Sequence, residues 1–232
     1  MQIPNQDTDS MNTQAPSKYT TKATGFHKLL KEGTQELHDQ AESGDFQTRM
    51  VSGDIIRAEF GQFLGQMRLV HEVLDPALSH AAEQDQRVTQ IFDESHLRLP
   101  RIEADLADLD ISMEQQPLPA TQTFIDFIQS TATASPVSLI GALYVKEGAT
   151  NGNKFVAKRL RESLNLKEGE AMRYHDPHGK DQRRKWNRFK ELLNELGLSS
   201  DEEVACVKVA QETFRMVMNI SREISQSNTV VS

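Results

Sequence analysis

His38 and Glu42 stand one helical turn apart in LLKEGTQELHDQAES, residues 29–43. An imidazole with a carboxylate at this spacing suits an axial metal ligand. The acid can accept from the ring Nδ1–H, which fixes the tautomer and leaves Nε2 for the metal. The same pair also reads as an exposed histidine on an amphipathic helix. A second constellation is the segment PVSLIGALYVKEGATNGNKFVAKRL, with Gly141, Gly148 and Gly152 inside a helical pattern. Each interior glycine costs about 1 kcal/mol relative to alanine. Gly148 and Gly152 share a face, and a face without Cβ atoms admits either a flat ligand or a second helix. A third is KDQRRKWNRFK, residues 180–190, with six basic side chains and one acid. Arg184 and Arg188 lie one turn apart there, a spacing that suits the carboxylates of a ligand or a solvated face.

The other candidates carry weaker signals. His71 lies on an apolar stripe and reads as a satisfied core histidine. Trp186 and Phe189 read as core. The loop His175-Asp176-Pro177-His178-Gly179 fits turn chemistry as well as a stray metal. Helical di-iron sites need a pair of Glu-x-x-His motifs. Only His96, with Asp93, has an acid three residues before it, so the paired motif is absent and the sequence argues against such a site.

These residues need helices to position them. Apolar residues recur at three- and four-residue steps from Phe26 through Leu37, and again over 54–80. Shorter helical stretches follow at 86–96 and 101–109, split by Pro100. Others cover 120–131, 136–164, 180–196 and 201–225, with Ser200 and Glu203 reading as a capping box. No alternation of period two and no internal repeat occurs. The expected fold is all-α, a single domain of seven or eight helices over 25–226. Residues 1–24 read as a disordered tail and 227–232 as a second.

Composition agrees. The chain has 232 residues, 26% charged and 37% apolar, with a net charge of −8. That argues against broad nucleic-acid or anionic-membrane binding. No run of apolar residues is long enough to span a bilayer. A lone cysteine, Cys206, excludes an intrachain disulfide and fits a reducing compartment, so a cytoplasmic location is expected.

Four segments together resemble the biliverdin-producing heme oxygenase family, bacterial type. LKEGTQELHDQAE (30–42) is similar to its proximal helix, L-K-x-x-T-x-x-x-H-x-x-A-E, and FLGQMRLVHEVLDPAL (63–78) to its second helix. LIGALYVKEGATNGNKFVAKRL (139–160) is similar to the bacterial distal helix. HGKDQRRKWNRFKELL with AQETF (210–214) resembles the C-terminal helices. The resemblance implies a helical fold that clamps heme and opens it with O2 and electrons to biliverdin, CO and iron. It implies an electron donor such as ferredoxin or a reductase. It makes His38 the iron ligand and Glu42 the acid behind it. Lys31 and Arg188 or Lys190 become propionate contacts. Tyr144, Gly148, Ala149 and Gly152 become further heme contacts, and Gly148, Gly152 and Asn153 join His38 at the catalytic face. Two positions depart from the pattern. Ala149 stands where many members carry Asp, and Asn153 where Gly or Ala is usual. A non-catalytic heme-binding or transfer protein of the same fold is the alternative.

Overall fold

The computed structural model describes residues 23–229, apart from the side chains of Asn153, Lys154, Asn228 and Thr229. Most of the expected N-terminal tail and residues 230–232 lie outside this range. Among the described residues the chain is all-α, with no strand. Among these residues nine α-helices, rather than the expected seven or eight, run in the order α1 (Gly25–Glu42), α2 (Asp45–Ser52), α3 (Arg57–Gln84), α4 (Gln86–Ile91), α5 (Leu99–Asp108), α6 (Pro119–Ala134), α7 (Ile140–Ser163), α8 (Gln182–Glu195) and α9 (Ser200–Thr229).

Helix α9 is the spine. α1 and α7 both pack along it, and α3 and α6 lean on its other sides. The approach of α7 is set by Gly141. A Cβ there would lie 2.0 Å from the Cys206 carbonyl oxygen and 2.8 Å from the Ala210 nitrogen, so only glycine fits. Helix α3 packs on α5 and α6 and buries Phe60, Leu64, Met67, Val70, Leu74 and Leu78. Each such side chain contributes about 1.5–3 kcal/mol, so the core stands without covalent staples.

Helix α8 touches both α1 and α7. Its Asn194 Oδ1 accepts the His27 backbone N–H at 2.9 Å and so caps the start of α1, where Gly25 adopts φ +56°. α1 and α7 are thus carried on α9 and bridged by α8, with a cleft between them.

The structure refines several boundaries. α2 is only eight residues, too short for periodicity to stand out, yet it buries Phe46 and Met50 one turn apart and ends at Gly53 with φ +86°. The stretch 86–96 divides into α4 and a 3-10 turn at Glu94–His96. His96 caps that turn, its ring Nδ1 3.0 Å from the Asp93 nitrogen, which accounts for the Asp93/His96 spacing. Pro100 does not split two helices but sits in the first turn of α5. The 136–164 segment opens as a 3-10 turn and becomes α-helical at Ile140. The capping box ahead of α9 lies one residue earlier than expected. Ser199 Oγ accepts from the Glu202 nitrogen at 3.3 Å, and Glu202 accepts from the Ser199 nitrogen at 2.8 Å.

Candidate functional site

A cavity of about 600 Å³ opens between α1, α3, α7, α8 and α9. Its size falls in the usual range for sites of sizeable organic ligands. Met50, Phe63, Met67, Val70, Leu74, Phe124 and Val217 make its walls apolar. Most of the residues singled out from sequence face it: Lys31, His38 and Glu42 from α1, Tyr144, Gly148, Ala149 and Gly152 from α7, and Lys190 from α8.

His38 is half-exposed, with the Phe214 ring edge-on at 6.1 Å. The acids around it differ in placement from the expected pattern. Glu42 Oε1 lies 3.6 Å from Nε2, while Asp39 Oδ1 lies 3.6 Å from Nδ1. Glu42 therefore does not back Nδ1 in this ring orientation. Among the described residues, His38, Asp39 and Glu42 form the one group of three His, Cys, Asp or Glu side chains close enough to share a metal.

The glycines of α7 divide by task. Gly141 packs on α9, whereas a Cβ on Gly152 would meet nothing within 4 Å. No protein neighbour accounts for glycine at 152. One on Gly148 would make ordinary contact with the Trp186 ring at 3.5 Å. The smooth face is thus turned to the cavity, which is what a flat ligand needs. The Asn153 side chain lies outside the described residues.

The basic stripe on α8 is only partly a site feature. Arg183 and Lys190 line the cavity. Arg188 does not. Its guanidinium points to Glu191 at 3.2 Å and Glu195 at 3.6 Å on the exposed face. Lys190 Nζ lies 5.8 Å from the Trp186 ring centre. Burial and the Lys31 charge both push Lys190 below the usual lysine range. His27, another residue of the cavity wall, is lowered to about 4 by burial and by Lys190 and Lys31. Two cations lining one cavity make a seat for anionic groups.

Sequence reasoning missed several lining residues. Trp186 is not core but a cavity wall, stacked on Phe189 with ring centres 5.7 Å apart. His71 is buried as expected but only half satisfied. Its Nδ1 is 2.8 Å from Asp75 Oδ1, and its Nε2 has no partner. Tyr174 and His175 come from the segment before α8. Asp105 holds that segment, accepting the Arg173 nitrogen at 3.0 Å and the Tyr174 nitrogen at 2.8 Å. His175 faces the cavity, while His178 turns away to Glu147 Oε2 at 3.0 Å. Asp176 Oδ1 closes the turn on the Gly179 nitrogen at 3.1 Å. The loop is turn chemistry, not a metal cluster.

A family model described as heme oxygenase matches residues 24–223. Heme oxygenase 2 of Rattus norvegicus is 25% identical over 97% of this chain and 74% of its own length. Heme oxygenase-2 from Synechocystis sp. PCC 6803, solved in complex with heme and NO, superposes with a TM-score of 0.82. It is 22% identical and covers 90% of this chain and 88% of that one. A TenA homologue from Pyrococcus furiosus shares the fold at a TM-score of 0.62 and 17% identity, covering 86% of this chain and 99% of that one. Fold alone therefore does not fix the chemistry, and the assignment rests on the match that runs through nearly the whole helical domain. The chain belongs to the heme oxygenase family.

Proposed function

We propose that this cavity binds heme and that the chain degrades it with O2 and electrons to biliverdin, CO and iron. The observation that carries the reading is one cavity walled by His38 from α1 and by the open glycine face of α7. Heme, when bound, supplies the iron at which O2 is reduced and is itself the ring that opens. The protein binds, orients and shields it. His38 would hold the iron through a ring nitrogen, as histidine does in many heme sites. Gly148 and Gly152 allow α7 to lie close over the macrocycle. Lys31, Lys190 and Arg183, which line the cavity, would hold the propionates, and Lys190 rather than Arg188 would do so from the C-terminal half of α8. The apolar walls exclude bulk water.

Ala149 favours a second reading, a heme carrier without turnover, because alanine cannot hold or deliver a proton. One experiment separates the two. Hemin is titrated into the protein, then a reductase system or ascorbate is added in air and the absorbance followed. Biliverdin formation supports the oxygenase. Heme bound through His38 but returned intact under every reductant supports the carrier. In His38→Ala the axial-histidine signature in the resonance Raman spectrum should vanish. If the mutant spectrum is unchanged, His38 is not the ligand.

A further inference from the structure

His71, on α3, is 0% exposed. Its Nδ1 lies 2.8 Å from Asp75 Oδ1, one turn along the same helix. Asp75 is held as a carboxylate. Burial opposes ionisation, but the His71 hydrogen bond and the Lys146 charge outweigh it and bring the acid well below the usual range. Its second oxygen accepts the Arg98 and Leu99 nitrogens at 2.7 and 2.8 Å. The carboxylate accepts at 2.8 Å, whereas the Lys146 ammonium, the other group at Nδ1, lies farther off at 3.2 Å, so the shorter contact puts the proton on Nδ1 and leaves Nε2 as a bare acceptor. That Nε2 is buried, has no protein partner and belongs to a residue of the cavity wall. A buried acceptor left unpaired is costly, so a donor inside the cavity accounts for it.

The position matters as much as the orphan atom. Lys146 Nζ lies 3.2 Å from His71 Nδ1 and 3.5 Å from Asp75 Oδ1. Lys146 is three residues before Ala149 on α7, and residues so spaced are neighbours on one helix face. His71, Lys146 and Ala149 all line the same cavity. Asp75, Lys146 and Arg98 are the charged groups acting on it. Tyr174 stands edge-on at 5.7 Å. His175, the other histidine of this wall with an unpartnered nitrogen, is backed by the Phe60 and Phe63 rings instead.

Resting on the reading of the cavity as a heme site, we infer that His71 is a positioning residue that holds a water over the α7-side face of the heme. The water donates one hydrogen to Nε2 and directs the other toward the ligand on iron. It stands in for the side-chain acid that position 149 does not supply. Asp75 fixes the acceptor tautomer, and Lys146 stabilises Asp75.

Three measurements test this. In the heme-free protein, ¹⁵N NMR of the His71 ring should show a protonated Nδ1 and a bare Nε2. Asp75→Asn should reverse that tautomer, because an amide can donate to Nδ1. In the reduced protein loaded with heme and probed with CO, the C–O stretch should shift to higher wavenumber in His71→Leu, and its sensitivity to D2O should disappear. His175→Phe should leave both as in the wild type. Hemin affinity should stay within about twofold in His71→Leu while the single-turnover rate falls about tenfold or more, as expected when a proton-delivering water is lost. A protonated Nε2 in the wild type, or a C–O stretch unmoved by His71→Leu, overturns the inference. So does a shift produced by His175→Phe alone. Failure of the wild type to take up hemin in the same titration removes the heme reading first, and the inference with it. Asp75→Asn keeps the test alive if His71→Leu does not fold.

Discussion

Gly152 and Gly141 lie on one helix and should respond to alanine in opposite directions. A Cβ at 152 meets no atom within 4 Å. Gly152→Ala therefore gains helix propensity, roughly 1 kcal/mol, with nothing to displace. In a domain of this size that raises the Tm of the heme-free protein by about 2–4 °C. At 141 the new carbon lies 2.0 Å from the Cys206 carbonyl oxygen and 2.8 Å from the Ala210 nitrogen, both backbone. No flexible side chain can yield, so α7 must lift from α9. Overpacking of that kind costs roughly 1–3 kcal/mol and lowers Tm by about 2–12 °C. Ligand binding separates the two sites further. Gly152→Leu places a branched side chain in the cavity, and the same 1–3 kcal/mol of overcrowding weakens hemin binding about five- to 150-fold. The assays are thermal denaturation without heme and hemin titration by absorbance. If Gly152→Ala destabilises the empty protein, or Gly152→Leu binds hemin as the wild type does, position 152 does not face a ligand.

Two further outcomes follow from the charges. Lys31→Ala and Lys190→Ala should each weaken hemin binding about ten- to a hundredfold, one charge-assisted pair contributing roughly 1.5–3 kcal/mol. Arg188→Ala should leave affinity unchanged, because its guanidinium serves Glu191 and Glu195. Equal losses at 188 and 190 would refute the rim. The second concerns pH. Burial lowers His71 and His175 to about 4 from an ordinary 6.5. A depressed histidine contributes stability that is complete above pH 6.5 and is lost as pH falls toward 4. Each imidazole is worth up to roughly 3 kcal/mol over that window. Urea denaturation of the heme-free protein should show the loss, and a double variant His71→Leu/His175→Phe should flatten it. A double variant as pH-sensitive as the wild type would place the effect elsewhere.

The helical class was legible in sequence because long amphipathic stripes such as α3 declare their period. α2 was not, since eight residues give only one pair of apolar neighbours, Phe46 and Met50. SSDEE offers two Ser-x-x-Glu registers, and only the fold shows that Ser199 closes the box. In the site, His38 and the α7 glycines could be singled out from spacing, and Lys31 from the family resemblance. Lys190 could not be told from Arg188, because α8 shows its inward face only once it is packed against α1 and α7. His71 and His175 were opaque for a different reason. Whether a buried ring nitrogen finds a partner depends on residues far away in the chain. Gly141 and Gly152 make the same point: one letter serves helix contact in one case and open space in the other.

The carboxylate of Asp105 has a consequence for how this cavity can be watched. It is fully buried, and it accepts two backbone amides, those of Arg173 and Tyr174, 68 and 69 residues further along the chain. Asp108 accepts a third, from Ala171, at 3.0 Å. These bonds tie down the segment that carries Tyr174 and His175. Closing so long a loop is entropically costly, so the contact is of the kind that forms late in folding. The three amides are therefore a built-in clock. Their hydrogen exchange reports opening of this one wall, separately from global unfolding and with no ligand bound.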